Sequence, residues 1–306
     1  SGLGIAALIP VIESMGKGLM GTPLVSTVLA AELIRRAGGV AEEDVLEDIS
    51  AGCAATVAYL DGSDWGGTNA GVAVDASGVL SGSKFMVPDA AHAMWIAVVG
   101  SNAEGDSVIA LVTGSDVAAQ AQASHALIDL TKRASTLDFA GVTAQRVLSG
   151  DKVASAIRDY LLIGALLMAA EAVGSTSACL AGIVDYLKTR KQFGKLIGSF
   201  QALKHPTVDI YVGMEHSRSL VYHASSEIDD GPLSVEAEVA CRMAKAKASD
   251  TIQYAGDRSV QFHGGFGFTW ECDSSLFIRR AAWSQQQFGD AMHHRKRLAP
   301  LLLDSE

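Results

Sequence analysis

The sequence predicts an α+β fold that is mostly helical. It reads as part of an N-terminal helical domain, a central antiparallel β-barrel or sandwich, and a C-terminal four-helix bundle. Three observations carry this. Residues 1–53 and 149–306 show helical texture, and residues 54–148 break into short β-like segments separated by Gly, Asn and Asp. In addition, 49% of the 306 residues are hydrophobic and only 19% are charged, enough to build two or three domains around an extensive core.

In the first part, TPLVSTVLAAELIRRAGG offers Thr22 as an N-cap, Pro23 at the first helical position and Gly38-Gly39 as the stop. Leu24, Val28, Leu29 and Leu33 fall on or near one face. Asp44 to Ile49 is a shorter helical piece. In the second part, GVAVDASGVLSGSKFMV turns tightly at Asp75–Gly78, and WIAVVG, SVIALVTG and AGVTAQRVL follow at short intervals. Helices return near 152–190, 198–229, 234–260 and 273–303, interrupted at RKQFGKLIG, at DDGP and at the glycine run QFHGGFGF. Long helices with short connections predict a bundle.

A net charge of −10 argues against a nucleic-acid binder. The one local basic run, His293 to Arg297, is expected at a helix C-terminus, where cations suit the dipole. Cys53, Cys179, Cys241 and Cys272 are widely spaced and form no metal-binding pattern, so a reducing compartment and no metal are expected. The apolar run from Tyr160 contains Glu171 and small polar residues, which fits a buried central helix better than a membrane span. With no basic-then-apolar leader in view, the expectation is a soluble cytoplasmic protein.

Two motifs could carry chemistry. In TRKQFGKLIGSFQALKH, Arg190 with flanking glycines suits a phosphate or pyrophosphate, although a helix C-terminus with a glycine stop reads the same way. In QFHGGFGFTWE, backbone N–H groups freed at a helix break could cradle an anion, or the glycines could serve a tight packing contact.

Together the motifs resemble the acyl-CoA dehydrogenase family. RKQFGKLIGSFQALKHPTVDIY is similar to its Arg-x-x-Phe-Gly run and the glutamine-bearing helix after it, and QFHGGFGFTWECDSSLFIRRA to its Gln-x-x-Gly-Gly-x-Gly-Phe segment. The resemblance implies FAD as cofactor, bound between subunits. Arg190, Gln192, Phe193, Gln201, Gln261, His263, Gly264 and Gly265 would be its contacts. It also implies an acyl-CoA thioester substrate, desaturated between Cα and Cβ, and an electron-transferring flavoprotein as electron acceptor.

The sequence departs from that family in three places. The resemblance implies ~70 or more helical residues ahead of the point matched by Ser1, either removed or naturally absent. The β-domain stretches that touch flavin are matched by YLDGSDWGG and FMVPDA, where Pro88 stands in place of a threonine and offers neither hydroxyl nor N–H. The two places from which the family draws its glutamate base fall at Gly164 and Gly289. The nearest carboxylates are Glu171 and Asp290, each readable as a base, or as a buried ion pair and a helix cap respectively. The leading expectation is a subunit that completes the FAD site while a homologous chain brings the base, as in sterol-side-chain dehydrogenases, in a dimer or α2β2 tetramer. The alternatives are a self-sufficient homo-oligomer using Asp290 or Glu171, and a scaffold that binds no flavin.

Overall fold

The computed structural model describes residues 4–38, 43–66, 71–118 and 122–303; Gly39 and Gly67 of the motifs above lie outside these. Helix α1 (Ile5–Lys17) buries Ile5, Ile9 and Ile12 along one stripe and stops at Gly18. Helix α2 (Leu24–Ala37) begins one residue later than predicted: Pro23 is the N-cap, and Thr22 Oγ1 accepts only a long 3.5 Å bond from Leu24 N–H. A short α3 (Glu43–Ser50) follows.

Strands β1 (Ala55–Ala58), β2 (Val72–Val74), β3 (Leu80–Pro88), β4 (Trp95–Ser101) and β5 (Ser107–Thr113) come next. After a one-turn helix α4 (Gly114–Ala118) come β6 (Gln122–Ser124), β7 (Ala134–Asp138) and β8 (Arg146–Leu148). They form one sheet in the order β6-β7-β3-β2-β4-β5-β8, with β1 also on β4. Pairing is antiparallel except that β1 and β2 each lie parallel to β4. The expected turn at Asp75–Gly78 forms: Asp75 Oδ1 accepts from the N–H groups of Ser77 and Val79, and Gly78 takes φ +81°. Ile96–Val99 and Val108–Val112 are buried without alternation, the pattern of strands covered on both faces. The strand expected over AGVTAQRVL shortens to Arg146–Leu148.

The chain sorts into two compact units, one of Gly21–Ile163 with Asp230–Pro232, the other of Ser1–Met20, Gly164–Asp229 and Leu233–Glu306. Helix α5 (Asp151–Thr189) is long and apolar enough to cross a membrane by length and composition, and 78% of its most apolar window is buried in the protein. A hairpin of β9 (Lys191–Gln192) and β10 (Lys195–Leu196) leads to α6 (Gln201–Ser226). Helix α7 (Val235–His263) is capped by Ser234, whose hydroxyl accepts from Ala237 N–H at 3.1 Å. It runs three residues beyond the predicted end, so Gln261 and His263 are helical and the break begins at Gly264.

The last predicted helix, 273–303, is two: α8 (Ser274–Gln286) and α9 (Ala291–Leu303). Phe288 and Gly289 both take positive φ, +57° and +92°, which no helix tolerates. The break also overturns the reading of His293–Arg297. These residues lie in the first turns of α9, not at its C-terminus, and Arg295 is neutralised by Asp250 instead of a helix dipole.

Two contacts lock α5 into its unit. A Cβ at Gly16 would overlap the backbone of Glu171, and one at Gly174 the backbone of Glu13, so α1 and α5 touch backbone to backbone. Further, Arg280 on α8 and Glu171 on α5, both 0% exposed, pair at 3.0 Å. Removing one member of such a pair strands a buried charge. Glu171→Gln or Arg280→Met is therefore expected to cost about 3–5 kcal/mol in urea unfolding. A Glu171→Leu/Arg280→Met double substitution should cost less than either single change.

Candidate functional site

Helix α5 ends at Thr189, so Arg190 is the first residue beyond it, anchored by its N–H to Tyr186 O at 3.0 Å. Gln192 closes β9, and Phe193-Gly194 make the two-residue turn with φ +52° and +76°, the left-handed pair that a tight hairpin requires. That turn leaves the Phe193 side chain exposed. The Arg190 guanidinium makes no ion pair among the described residues and is exposed, a cation left available.

Across from this hairpin, α7 ends and the glycine run folds as a 3-10 turn, Gly264–Phe268. His263 is held by Nδ1 against Ser259 O at 2.7 Å and by its ring on Tyr186, with centroids 4.2 Å apart. The glycines divide by role. A Cβ on Gly267 would strike Val260 O at 2.5 Å, so that residue is a packing glycine. A Cβ on Gly264 or Gly265 would meet nothing within 4 Å. Gly264 takes φ +62° and ψ −141°, which alone calls for glycine, whereas no described group of this unit explains the bareness of Gly265; both backbones face open space.

The hairpin and the glycine turn bound one cavity of about 650 Å³ within a single unit. It unites Arg190, Gln192, Phe193, His263, Gly264 and Gly265, which the sequence separates by up to seventy-five positions. Gln201 and Gln261, expected with them, are exposed and do not line it. Sequence reasoning missed its aromatic walls, Tyr186, Phe200, Phe262 and Phe266. Tyr186 was within reach, because it lies four residues before Arg190 and hence on the same face of a helix end. The cavity combines an exposed guanidinium, bare backbone and flat apolar walls, which suits an anionic, aromatic-bearing ligand.

Neither candidate carboxylate joins this cavity. Glu171 is committed to Arg280. Asp290 caps α9, its Oδ1 accepting from His293 N–H at 2.7 Å. The two glycines that stand where a glutamate is expected turn out to be neighbours. The Phe288 ring lies on Gly164, with three carbons no further than 2.5 Å from where a Cβ would stand, and Gly289 is the next residue. Beneath this loop, Lys245 is buried and donates to Ser249 Oγ, Ser284 O and Gln285 O at 2.9, 2.9 and 3.3 Å. Burial pulls its pKa down to about 7, with the Asp290 charge opposing. His294 Nε2 donates to Phe288 O at 3.0 Å. In the other unit, Pro88 ends β3 with its carbonyl taken by Thr56 Oγ1 at 2.6 Å, and Trp65 stacks on Tyr59. Among the described residues no group of His, Cys, Asp or Glu could hold a metal, and the four cysteines are free thiols.

The fold and the paired motifs define a class of protein, a helical bundle joined to a mixed sheet domain with a cofactor-sized cavity at one helix end. Residues 154–300 match the family model for the acyl-CoA dehydrogenase C-terminal domain. Over these residues the chain is a member of the acyl-CoA dehydrogenase family. It is similar to acyl-CoA dehydrogenase IpdE2 of Mycolicibacterium smegmatis, 39% identical over 134 residues, covering 44% of this chain and 40% of that one. The same match in Mycobacterium tuberculosis spans 36% of the relative, so the chain aligns with well under half the length of these curated proteins. Among solved structures, the Tcur3481-Tcur3483 steroid ACAD G363A variant superposes with TM-score 0.86 over 99% of this chain and 82% of the other, at 26% identity. A glutaryl-coenzyme A dehydrogenase complex reaches TM-score 0.88 over 100% and 82%, and at 21% identity it shows the fold alone.

The loop beneath Phe288 yields a pH prediction. Burial, reinforced by Lys245, Arg242 and His293, lowers the His294 pKa from 6.5 to about 3. The unfolded imidazole takes a proton below about pH 6.5 and the folded one only near pH 3, so the stabilising preference is complete above 6.5 and is lost as pH falls towards 3. The total is on the order of 5 kcal/mol at most. His294→Gln keeps a donor for Phe288 O but does not titrate. Its melting temperature should fall less steeply between pH 6.5 and 3 than that of the wild type.

Proposed function

We propose that this chain is one subunit of an FAD-dependent acyl-CoA dehydrogenase, completing a flavin site while a homologous chain supplies the base. The observation that carries the reading is the cavity that joins an uncommitted Arg190 to bare backbone at Gly264 and Gly265. The residues fit the group. A planar guanidinium fork matches a pyrophosphate, backbone without Cβ admits a flat diphosphate-linked group, and Tyr186, Phe200 and Phe266 supply apolar walls. FAD, when bound, supplies the hydride acceptor for α,β-desaturation of an acyl-CoA thioester.

The chain's own residues hold and orient, and they leave proton abstraction to another group. Arg190 binds, Phe193 and Phe200 flank, and His263 is fixed in one orientation by Ser259 and Tyr186. No carboxylate stands at Gly164 or Gly289. Glu171 is held in its ion pair, and Asp290 points its Oδ1 at the start of α9. General-base catalysis is worth roughly 10²–10⁴-fold in rate, so a chain without a positioned base depends on a neighbour for it. The likeness to a steroid ACAD named by two paired designations supports an assembly of unlike chains and a ring-bearing acyl substrate. Reduced flavin would pass its electrons to an electron-transferring flavoprotein.

Two measurements test this. Gly265→Val adds a side chain where the backbone has room and no positive φ, so it should leave the melting temperature of the flavin-free protein within a few degrees yet reduce flavin retention sharply. Arg190→Ala should do the same, and Arg190→Lys should rescue only in part. Equal loss of stability without flavin would make the run a packing device. Second, the purified chain alone should not bleach flavin with a panel of acyl-CoAs, whereas the chain co-purified with a homologous partner should. Turnover by the chain alone that disappears in Asp290→Asn would name Asp290 as the base, because asparagine preserves the helix cap and removes only the charge.

A further inference from the structure

We infer that Phe288 is a built-in plug, which fills the place where a side chain from position 164 would stand and so fixes this chain as the subunit without a base. The inference rests on the partner reading above and adds a mechanism to it: the carboxylate is not merely absent, because hydrocarbon occupies its room. Three ring carbons of Phe288 lie no further than 2.5 Å from a Cβ built on Gly164, inside any allowed contact. Glycine in mid-helix is otherwise unfavourable, and here the ring accounts for it. Phe288 itself sits at φ +57°, a conformation a bulky residue adopts only when its surroundings impose it.

The surroundings do impose it. His294, 2% exposed, donates Nε2 to the Phe288 carbonyl, and Asp290 starts α9 immediately after the loop. Lys245, 1% exposed, gathers the Ser284 and Gln285 carbonyls at the end of α8. The segment from Gln287 to Asp290 is thus tied at both ends and at its middle. Gly289 cannot take over the role of Gly164, because a Cβ there would strike the His293 ring, and its φ of +92° disfavours any side chain. Both positions from which a carboxylate could come are closed by the same loop.

The test is a sign reversal in the thermal stability of the full chain. Alanine is a better helix former than glycine, so Gly164→Ala should raise the melting temperature wherever space allows. With Phe288 in place it should instead lower the melting temperature by on the order of 5 °C. In a Phe288→Ala background the same change should raise it. Gly164→Glu should fold poorly alone and be rescued by Phe288→Ala. The same sign for Gly164→Ala in both backgrounds overturns the plug, as does a Gly164→Glu variant as stable as wild type. Turnover by the wild-type chain alone would remove the partner reading and leave the sign reversal untouched, so the two can fail separately.

Discussion

A buried guanidinium must meet an anion, and Arg280 meets Glu171. Both are withdrawn from water, and the pair is tolerable only because each neutralises the other. Its consequence is positional. It sets how α8 lies against α5, and the features at issue hang from those two helices. Gly164 lies seven residues before Glu171, two turns back along α5, and Phe288 lies eight residues after Arg280. The ion pair and the ring-on-glycine contact are two points of one register. At the far end of α5 the chain releases Arg190, opposite the glycine turn that precedes α8.

The glycines show how one residue type serves separate physical ends. Gly16 and Gly174 exist for backbone-to-backbone packing, and Gly267 for a turn pressed on α7. Gly164 makes room for a ring from its own unit. Gly264 answers to its own φ of +62°, while Gly265 makes room for no described residue of its unit, and this separates a binding surface from a packing surface. A run of glycines in a sequence carries no such distinction, since it appears only when the atoms around each Cα are known.

The charged and polar groups under the loop follow the same economy of burial. Lys245 gives its N–H donors to a hydroxyl and two helix-end carbonyls, and His294 stays neutral in order to remain inside. Their work is to hold a strained segment, and that segment decides what can stand at Gly164. Stability and function are joined at this point: a loop that costs backbone energy is retained because its ring closes a helix face.

The sequence by itself determined the order of helix, sheet and bundle, because apolar periodicity and turn residues act locally. It also determined the two motifs, since an arginine and a phenylalanine before glycine, and glycines at a helix end, are legible without neighbours. Only the tertiary structure decided what those residues do. It showed that Glu171 belongs to Arg280, that Asp290 caps α9, that Gln201 and Gln261 do not line the cavity their neighbours line, and that the last helix breaks in two. It also brought Phe288 onto Gly164 across more than a hundred residues of chain. These outcomes depend on which groups meet across long separations, and the energy of a buried charge or a filled hole belongs to the pair and not to either residue.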